Sequence, residues 1–92
     1  ERPDVYSYEF AVCLNNLGVA LIDLNYPQEA IKAYQGAIEI YRKLAQKQPE
    51  VYSNFASALH SLGNTLSQLN RSEEAIEVYR EYFETCHKLE QS

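Results

Sequence analysis

The sequence predicts an all-α fold of two tandem helix-turn-helix hairpins. The chain matches itself when it is displaced by 45 residues, and an internal period of that length is typical of stacked helical repeats. Within each copy the apolar residues recur at the three-and-four spacing of one helical face. We therefore expect a single domain, 1–92, with repeats at about 3–48 and 49–92 and helices at about 4–24, 27–47, 50–69 and 72–90.

The internal match falls mainly on apolar and turn residues, as expected when a supersecondary unit is repeated. The matched pairs are Phe10 and Phe55, Leu14 and Leu59, Leu17 and Leu62, Gly18 and Gly63, Leu21 and Leu66, Leu24 and Leu69, Ala30 and Ala75, and Tyr34 and Tyr79. Asn25 and Asn70 follow the first helix of each copy, and Asn tolerates the left-handed conformation in which helices often end. Pro27 then suits the first turn of a second helix.

The repeated glycines indicate how the two helices of a hairpin meet. Glycine in a helix interior costs about 1 kcal/mol relative to alanine, so Gly18 and Gly63 need a structural reason. We expect the second helix to approach each glycine closely through a small residue, Ala30 or Ala75. The packing face of the first helix is expected to comprise Leu14, Leu17, Gly18, Leu21 and Leu24.

The tyrosines divide by their position in this pattern. Tyr34, Tyr41 and Tyr79 fall on the packing stripe of the second helices, which predicts that they lie in the core. Tyr26 falls in the predicted turn, and Tyr82 occupies the position that Ala37 has in the first copy. Those two are the better candidates for exposure.

These residues resemble the tetratricopeptide repeat over nearly the whole chain. That motif has Leu-Gly, an Ala twelve residues after the Gly and an aromatic residue four later, and Gly18, Ala30 and Tyr34 fit it in the first copy. The period departs from the family's usual 34 residues, because eleven more lie between Ala37 and Leu59, about three helical turns. Long repeats of this kind resemble those of kinesin light chains. The alternative is a plain four-helix bundle of duplicated hairpins.

The resemblance implies a right-handed superhelix whose first helices line a concave groove that binds an extended peptide. The residues opposite the leucine stripe would line this groove: Val12, Asn15, Asn16, Val19, Ile22 and Asp23 in the first copy, and Ser57, His60, Ser61, Asn64, Ser67 and Gln68 in the second. Amide side chains carry both donors and acceptors, so they can pair with a peptide backbone of any sequence. Asn15, Asn16 and Asn64 are the leading candidates, and solvated helix surface is the alternative for each residue.

The charges of the predicted groove favour one kind of peptide. The basic residues are Arg2, Lys32, Arg42, Lys43, Lys47, Arg71, Arg80 and Lys88, and none belongs to the groove set. The family's carboxylate clamp needs Lys and Arg in the groove, so we do not expect one here. Asp23 is the only charged residue of the set, and a peptide with a basic or neutral centre fits better.

Charge and composition disfavour several other classes of function. Thirteen acidic residues outnumber eight basic ones, which argues against nucleic acid and anionic membrane surfaces as partners. No catalytic or metal-binding spacing accompanies His60 or His87, so we expect no enzyme, metal or cofactor. Cys13 and Cys86 fall within apolar helical patterns. They are predicted to be buried free thiols of a cytoplasmic protein, with a disulfide as the alternative.

We therefore expect an interaction scaffold with a protein or peptide partner. The alternative is a structural spacer or self-association module within a larger signalling or regulatory protein. The chain contains no methionine, so we expect it to be part of a longer protein. Two repeats leave two open ends, which we expect further repeats or another copy to cover. Those ends are predicted to expose Val5, Tyr6, Phe10 and Cys13 on the first helix and Ile76, Tyr79, Tyr82, Phe83 and Cys86 on the last.

Overall fold

Four helices account for most of the computed structural model, which describes residues 3–91 and the side chains of residues 7–91. Helix α1 spans Pro3–Asp23, α2 spans Pro27–Ala45, α3 spans Tyr52–Gln68 and α4 spans Ser72–Gln91, and a 3₁₀ turn at Pro49–Val51 precedes α3. Residues 3–91 contain no strand. The all-α prediction is confirmed, and each helix ends within two residues of its predicted bounds. The side chains of Arg2, Val5 and Tyr6 lie outside the described residues.

The first helix of each hairpin ends in a left-handed asparagine, as predicted. Asn25 has a φ of 69° and Asn70 a φ of 63°. The N–H of Tyr26 donates to the carbonyl of Leu21 over 2.8 Å, and the N–H of Asn25 donates to the carbonyl of Ile22 over 2.9 Å. The same pair of bonds follows α3, and together they form the Schellman motif, which satisfies the last carbonyls of a helix.

Helix α2 is the centre of the fold, because it packs against α1 on one side and against α3 on the other. Its buried residues recur every three or four positions, at Ala30, Ile31, Ala33, Tyr34, Ala37, Ile38, Tyr41, Leu44 and Ala45. Within the longer part of the repeat, Tyr41, Leu44, Val51 and Phe55 are at most 5% exposed. The additional residues therefore lengthen the core and do not form a loop.

The leucine stripe of α1 is not a single packing face, and this part of the prediction is wrong. Ala11 and Gly18 are buried, whereas Leu17 is 50% exposed and Leu24 is 66% exposed. Leu62, the counterpart of Leu17 in α3, is only 4% exposed, because α2 of the preceding hairpin covers that side of α3. A first helix thus has two apolar faces, one for its own hairpin and one for the hairpin before it.

The close partner of Gly18 is a tyrosine ring and not the predicted Ala30. A Cβ atom on Gly18 would lie 2.6 Å from Cε1 and 2.8 Å from Cδ1 of Tyr34. Ala30 is fully buried, but the atoms nearest to the glycine belong to the ring. Glycine therefore provides room for an aromatic side chain.

The second hairpin makes the same contact. A Cβ atom on Gly63 would lie 2.5 Å from Cε1 of Tyr79, so the prediction that Ala75 is the close partner is also wrong. The two rings differ in their surroundings, because Tyr34 is 2% exposed and Tyr79 of α4 is half-buried.

Other side-chain predictions had mixed outcomes. Tyr34 and Tyr41 are buried, and Tyr26 is 54% exposed, as predicted. Tyr82 is half-buried, which is less exposed than predicted. Both thiols are free, but Cys13 is exposed. Cys86 is half-buried, so neither cysteine is buried as predicted. Cys13 lies on the same outer face of α1 as Leu17.

We predict that Gly18→Ala lowers the free energy of unfolding by up to about 2 kcal/mol. Overpacking against a rigid buried ring costs about 1–3 kcal/mol, and the better helix propensity of alanine returns only about 1 kcal/mol. Gly63→Ala should cost less, because Tyr79 can move outward. Urea denaturation followed by circular dichroism measures both values.

Gly36→Ala is the matched control for this prediction. A Cβ atom there would meet only Cδ1 of Leu14 at 3.1 Å, which is the end of a flexible side chain. The control should therefore be neutral or stabilising. If Gly18→Ala is as stable as Gly36→Ala, the Tyr34 contact does not explain the glycine.

Candidate functional site

The predicted groove residues of α1 divide into exposed and half-buried positions. Both groups belong to one helix, and the exposed group supplies one amide, one apolar and one carboxylate side chain. The exposed residues are Asn16, Val19 and Asp23, and the half-buried residues are Val12, Asn15 and Ile22.

The predicted groove residues of α3 form a surface that is polar and carries no formal charge when histidine is neutral. Ser61 is half-buried, and the other members, Ser57, His60, Asn64, Ser67 and Gln68, are exposed. Hydroxyl and amide groups of this kind can both donate and accept hydrogen bonds. This face of α3 can therefore pair with backbone groups of another chain.

Tyr34 of α2 brings one predicted residue from each first helix to the same place. Its ring lies on Gly18 of α1, and its hydroxyl interacts with Ser61 of α3 and with the charge of Asp23. Burial raises the pKa of Tyr34 above its ordinary value, hydrogen bonding with Ser61 lowers it, and the negative charge of Asp23 raises it further. Ser61 is thus a hydrogen-bonding partner of this phenol group, and Asp23 acts on it through its charge.

Tyr41, two turns further along α2, connects α1 and α3 in the same way. The rings of Tyr8 and Tyr41 meet edge to face with centroids 6.4 Å apart, and the hydroxyl of Tyr8 donates to Oδ1 of Asn54 over 3.4 Å. The pKa of Tyr41 is raised to about 12, chiefly by burial and in addition by Tyr8, while hydrogen bonding with Asn54 opposes the shift.

Asn54 is a candidate site residue that the sequence analysis missed. It precedes Ser61 by seven residues and Asn64 by ten, which places all three on one face of α3. This spacing was a usable signal. The repeat comparison did not reveal it, because the corresponding position of the first copy carries Glu9.

Asn64 is held in place by the tyrosine of its own hairpin. The hydroxyl of Tyr79 donates to Oδ1 of Asn64 over 2.5 Å. This bond occupies the acceptor side of the amide and leaves the Nδ2 hydrogens for another acceptor. The side chain is therefore oriented before any partner arrives.

Two predicted residues are placed differently from the rest. The ring of His60 lies against the ring of Tyr82, with centroids 5.1 Å apart, so this residue faces the α4 side.

Oδ1 of Asn15 is buried and has no hydrogen-bond partner. A buried acceptor without a partner is costly, and a donor from a ligand would relieve that cost.

Several basic side chains form contacts away from the predicted groove set. Arg42 forms a fork with Glu81, at 3.0 Å and 2.8 Å, and lies 5.9 Å from the ring centroid of Phe55. Arg71, which directly precedes α4, pairs with Glu74 in the first turn of that helix. The Arg42 contacts join the two hairpins on the side of the second helices.

A comparison with protein families identifies the repeat. The family model described as tetratricopeptide repeat matches residues 11–86, most of the chain. The chain belongs to the tetratricopeptide repeat family. Repeats of this family are protein–protein interaction scaffolds and are generally non-catalytic. Neither the curated proteins nor the solved structures gave a significant match, and the likeness to kinesin light chains stays a prediction.

Two further properties concern the part of this tetratricopeptide chain that the structure describes. None of its helices combines the length and the apolar composition that crossing a membrane requires. Within the same residues, His, Cys, Asp and Glu do not gather in groups of three that could hold a metal ion.

We predict that the chain loses stability between pH 10 and pH 12, in part through Tyr41. Its pKa is about 12 in the folded state and about 10 in an unfolded chain. The neutral phenol is therefore favoured by folding. The contribution of this phenol to the free energy of unfolding is complete below pH 10 and is lost as the pH rises through 12.

Urea denaturation at pH 8, 10, 11 and 12 measures this loss. Tyr41→Phe should show a shallower decline of the unfolding free energy above pH 10, because the titrating group is gone. Tyr26→Phe removes an exposed phenol and should leave the decline as in the parent chain. Equal slopes for all three proteins would contradict the assignment to Tyr41.

Proposed function

We propose that the chain is a protein-interaction scaffold whose α1 and α3 faces form a groove for an extended peptide segment of a partner protein. Membership of the tetratricopeptide family supports the general role. The specific proposal rests on one observation: Asn64 is fixed by Tyr79 on a helix face made of serine and amide side chains. We take the two repeats to span about 3–48 and 49–92.

The oriented amide explains why a peptide backbone suits this face. With Oδ1 of Asn64 occupied, the amide offers N–H groups, and a peptide carbonyl is the matching acceptor. Fixing the side chain in advance reduces the conformational entropy that binding would otherwise cost. Asn16 offers a second exposed amide on α1.

The α1 face adds selectivity to this backbone recognition. Val19 is 45% exposed and lies near the half-buried Val12 and Ile22 on the same helix, so an apolar side chain of the peptide can bury surface there. Asp23 is exposed and attracts a basic group. We therefore propose a peptide with an apolar residue and a neutral or basic centre, bound in a reducing, cytoplasmic compartment that suits the two free thiols.

A second candidate function is a structural spacer or self-association module. The observation that favours it is the exposure of large apolar side chains at both ends, with Phe10 59% exposed and Phe83 72% exposed. In that case the groove face has no ligand, and binding occurs at the ends.

We predict that replacing Asn15, Asn16 and Asn64 together by alanine weakens peptide binding at least tenfold. Each lost hydrogen bond is worth about 1 kcal/mol, and about 1.4 kcal/mol corresponds to a factor of ten. A phage-displayed library of random twelve-residue peptides, selected on the immobilised chain, supplies the ligand. Isothermal titration calorimetry of the selected peptide then measures the loss.

Gln28, Gln35 and Gln46 provide the matched control, because all three are exposed amides on or next to α2. Their triple alanine variant should bind the peptide as tightly as the parent chain. Selection of peptides with acidic centres would contradict the proposed groove. An unchanged affinity of the asparagine variant, with helicity retained, would favour the spacer.

A further inference from the structure

Helix α4 exposes an apolar stripe on its outer side. Ile76 is 51% exposed and Phe83 is 72% exposed. Together with Tyr79 they line a cavity of about 420 Å³, which Arg80 and Glu84 border. Large apolar groups that lie together on a surface are typical of binding sites. We call Ile76, Tyr79 and Phe83 the α4 stripe.

The first hairpin shows what covers such a stripe. The residues 45 positions earlier are Ile31, Tyr34 and Ile38, and they are 4%, 2% and 4% exposed. Tyr34 lies on Gly18 of α1, and α3 packs on the side of α2 where Ile38 borders the same depression as Leu59 and Leu62. The α4 stripe therefore corresponds to the α2 side of the interface between α2 and α3. That interface is complete within this chain, whereas the α4 stripe is exposed.

Helix α1 exposes the other half of that interface. Phe10, Leu17 and Leu24 are 59%, 50% and 66% exposed; we call them the α1 stripe. Their counterparts Phe55 and Leu62 on α3 are 5% and 4% exposed. The difference arises because a hairpin precedes α3, whereas residues 3–91 place none before α1.

We propose that the α1 stripe of one copy of the chain docks on the α4 stripe of another, as α3 docks on α2. Phe10 and Leu17 would take the places of Phe55 and Leu62, and Phe83 the place of Ile38. The two stripes are different surfaces, so the contact is heterologous and each copy keeps one free half. The two proposals share Tyr79, whose hydroxyl holds Asn64 of the proposed groove, so the variants that test the docking change other residues of the stripes.

One difference between the two interfaces limits the strength of the docking. Ala37 on α2 and Ala58 on α3 are both fully buried. The corresponding residues at the ends are Tyr82 and Cys13, which are larger. The ring of Tyr82 rests on His60, 5.1 Å away between centroids. Docking of a copy is therefore weaker than the internal contact, and it should tighten when Tyr82 is shortened.

The test uses two variants that each remove one half of the contact. Leu17→Glu disables the α1 stripe and Phe83→Glu disables the α4 stripe, and both side chains are exposed, so the hairpins should still fold. Sedimentation velocity from micromolar to millimolar concentration measures assembly. The parent chain should grow with concentration, and each variant alone should associate at least tenfold more weakly.

An equal mixture of the two variants gives the decisive result. The Phe83→Glu chain still offers its α1 stripe, and the Leu17→Glu chain still offers its α4 stripe, so the mixture should form dimers and stop there. Val19→Glu, an equivalent change on the proposed groove, should assemble like the parent chain. Tyr82→Ala should assemble at least as tightly as the parent.

Other outcomes would overturn the inference. A parent chain that stays monomeric at millimolar concentration would show that the stripes do not bind each other. If Leu17→Glu still dimerises while Phe83→Glu does not, the α4 stripe pairs with itself. If Tyr82→Ala weakens assembly, the internal interface is the wrong template. None of these results affects the peptide titration, so groove and ends are tested separately.

Discussion

The structure depends on a tyrosine ring of each second helix fitting against a glycine of the first. Tyr34 lies on Gly18 so closely that a single methyl group would collide with it. Because the ring is fixed there, its hydroxyl is carried to Ser61 of the next hairpin and to the charge of Asp23. One side chain therefore contacts the first helix of its own hairpin and hydrogen-bonds with the first helix of the next.

Tyr41 repeats this connection at the other end of α2. It meets Tyr8 of α1 and interacts with Asn54 of α3, so α2 joins its two neighbours at two points seven residues apart. Two separated contacts fix both the distance and the crossing of the helices. The candidate groove face takes its shape from these contacts and not from α1 or α3 alone.

The helices and their ends could be predicted from the sequence, because they depend on local rules. The apolar spacing defines each helix, and the left-handed conformation of Asn25 and Asn70 follows from residue type and position. The partner of Gly18 could not be predicted, since it depends on how far a tyrosine ring reaches across the hairpin. The exposure of Leu17 depends on whether another hairpin packs against that face of α1. The spacing of apolar residues along the helix cannot reveal this.

The candidate site was predictable as a helix face but not as a set of contacts. The polar face of α3 follows from helical spacing. The bond that orients Asn64 comes from Tyr79, and the first hairpin has Val19 in place of Asn64, so comparing the repeats conceals it. The packing positions recur in both hairpins, whereas the predicted groove positions differ, so each hairpin presents its own chemistry on the candidate groove face.

The central place of α2 and α3 determines how the molecule opens. Helices α2 and α3 each pack extensively against two neighbours, whereas α1 packs mainly on α2 and α4 mainly on α3. Separating an outer helix breaks one main interface, but releasing α2 or α3 requires the loss of two, so fluctuations begin at α1 and α4 and progress inward. The amide protons of α2 and α3 are therefore the last to exchange with solvent, and the hydroxyl groups of Tyr34 and Tyr41 remain in place while the outer helices fray.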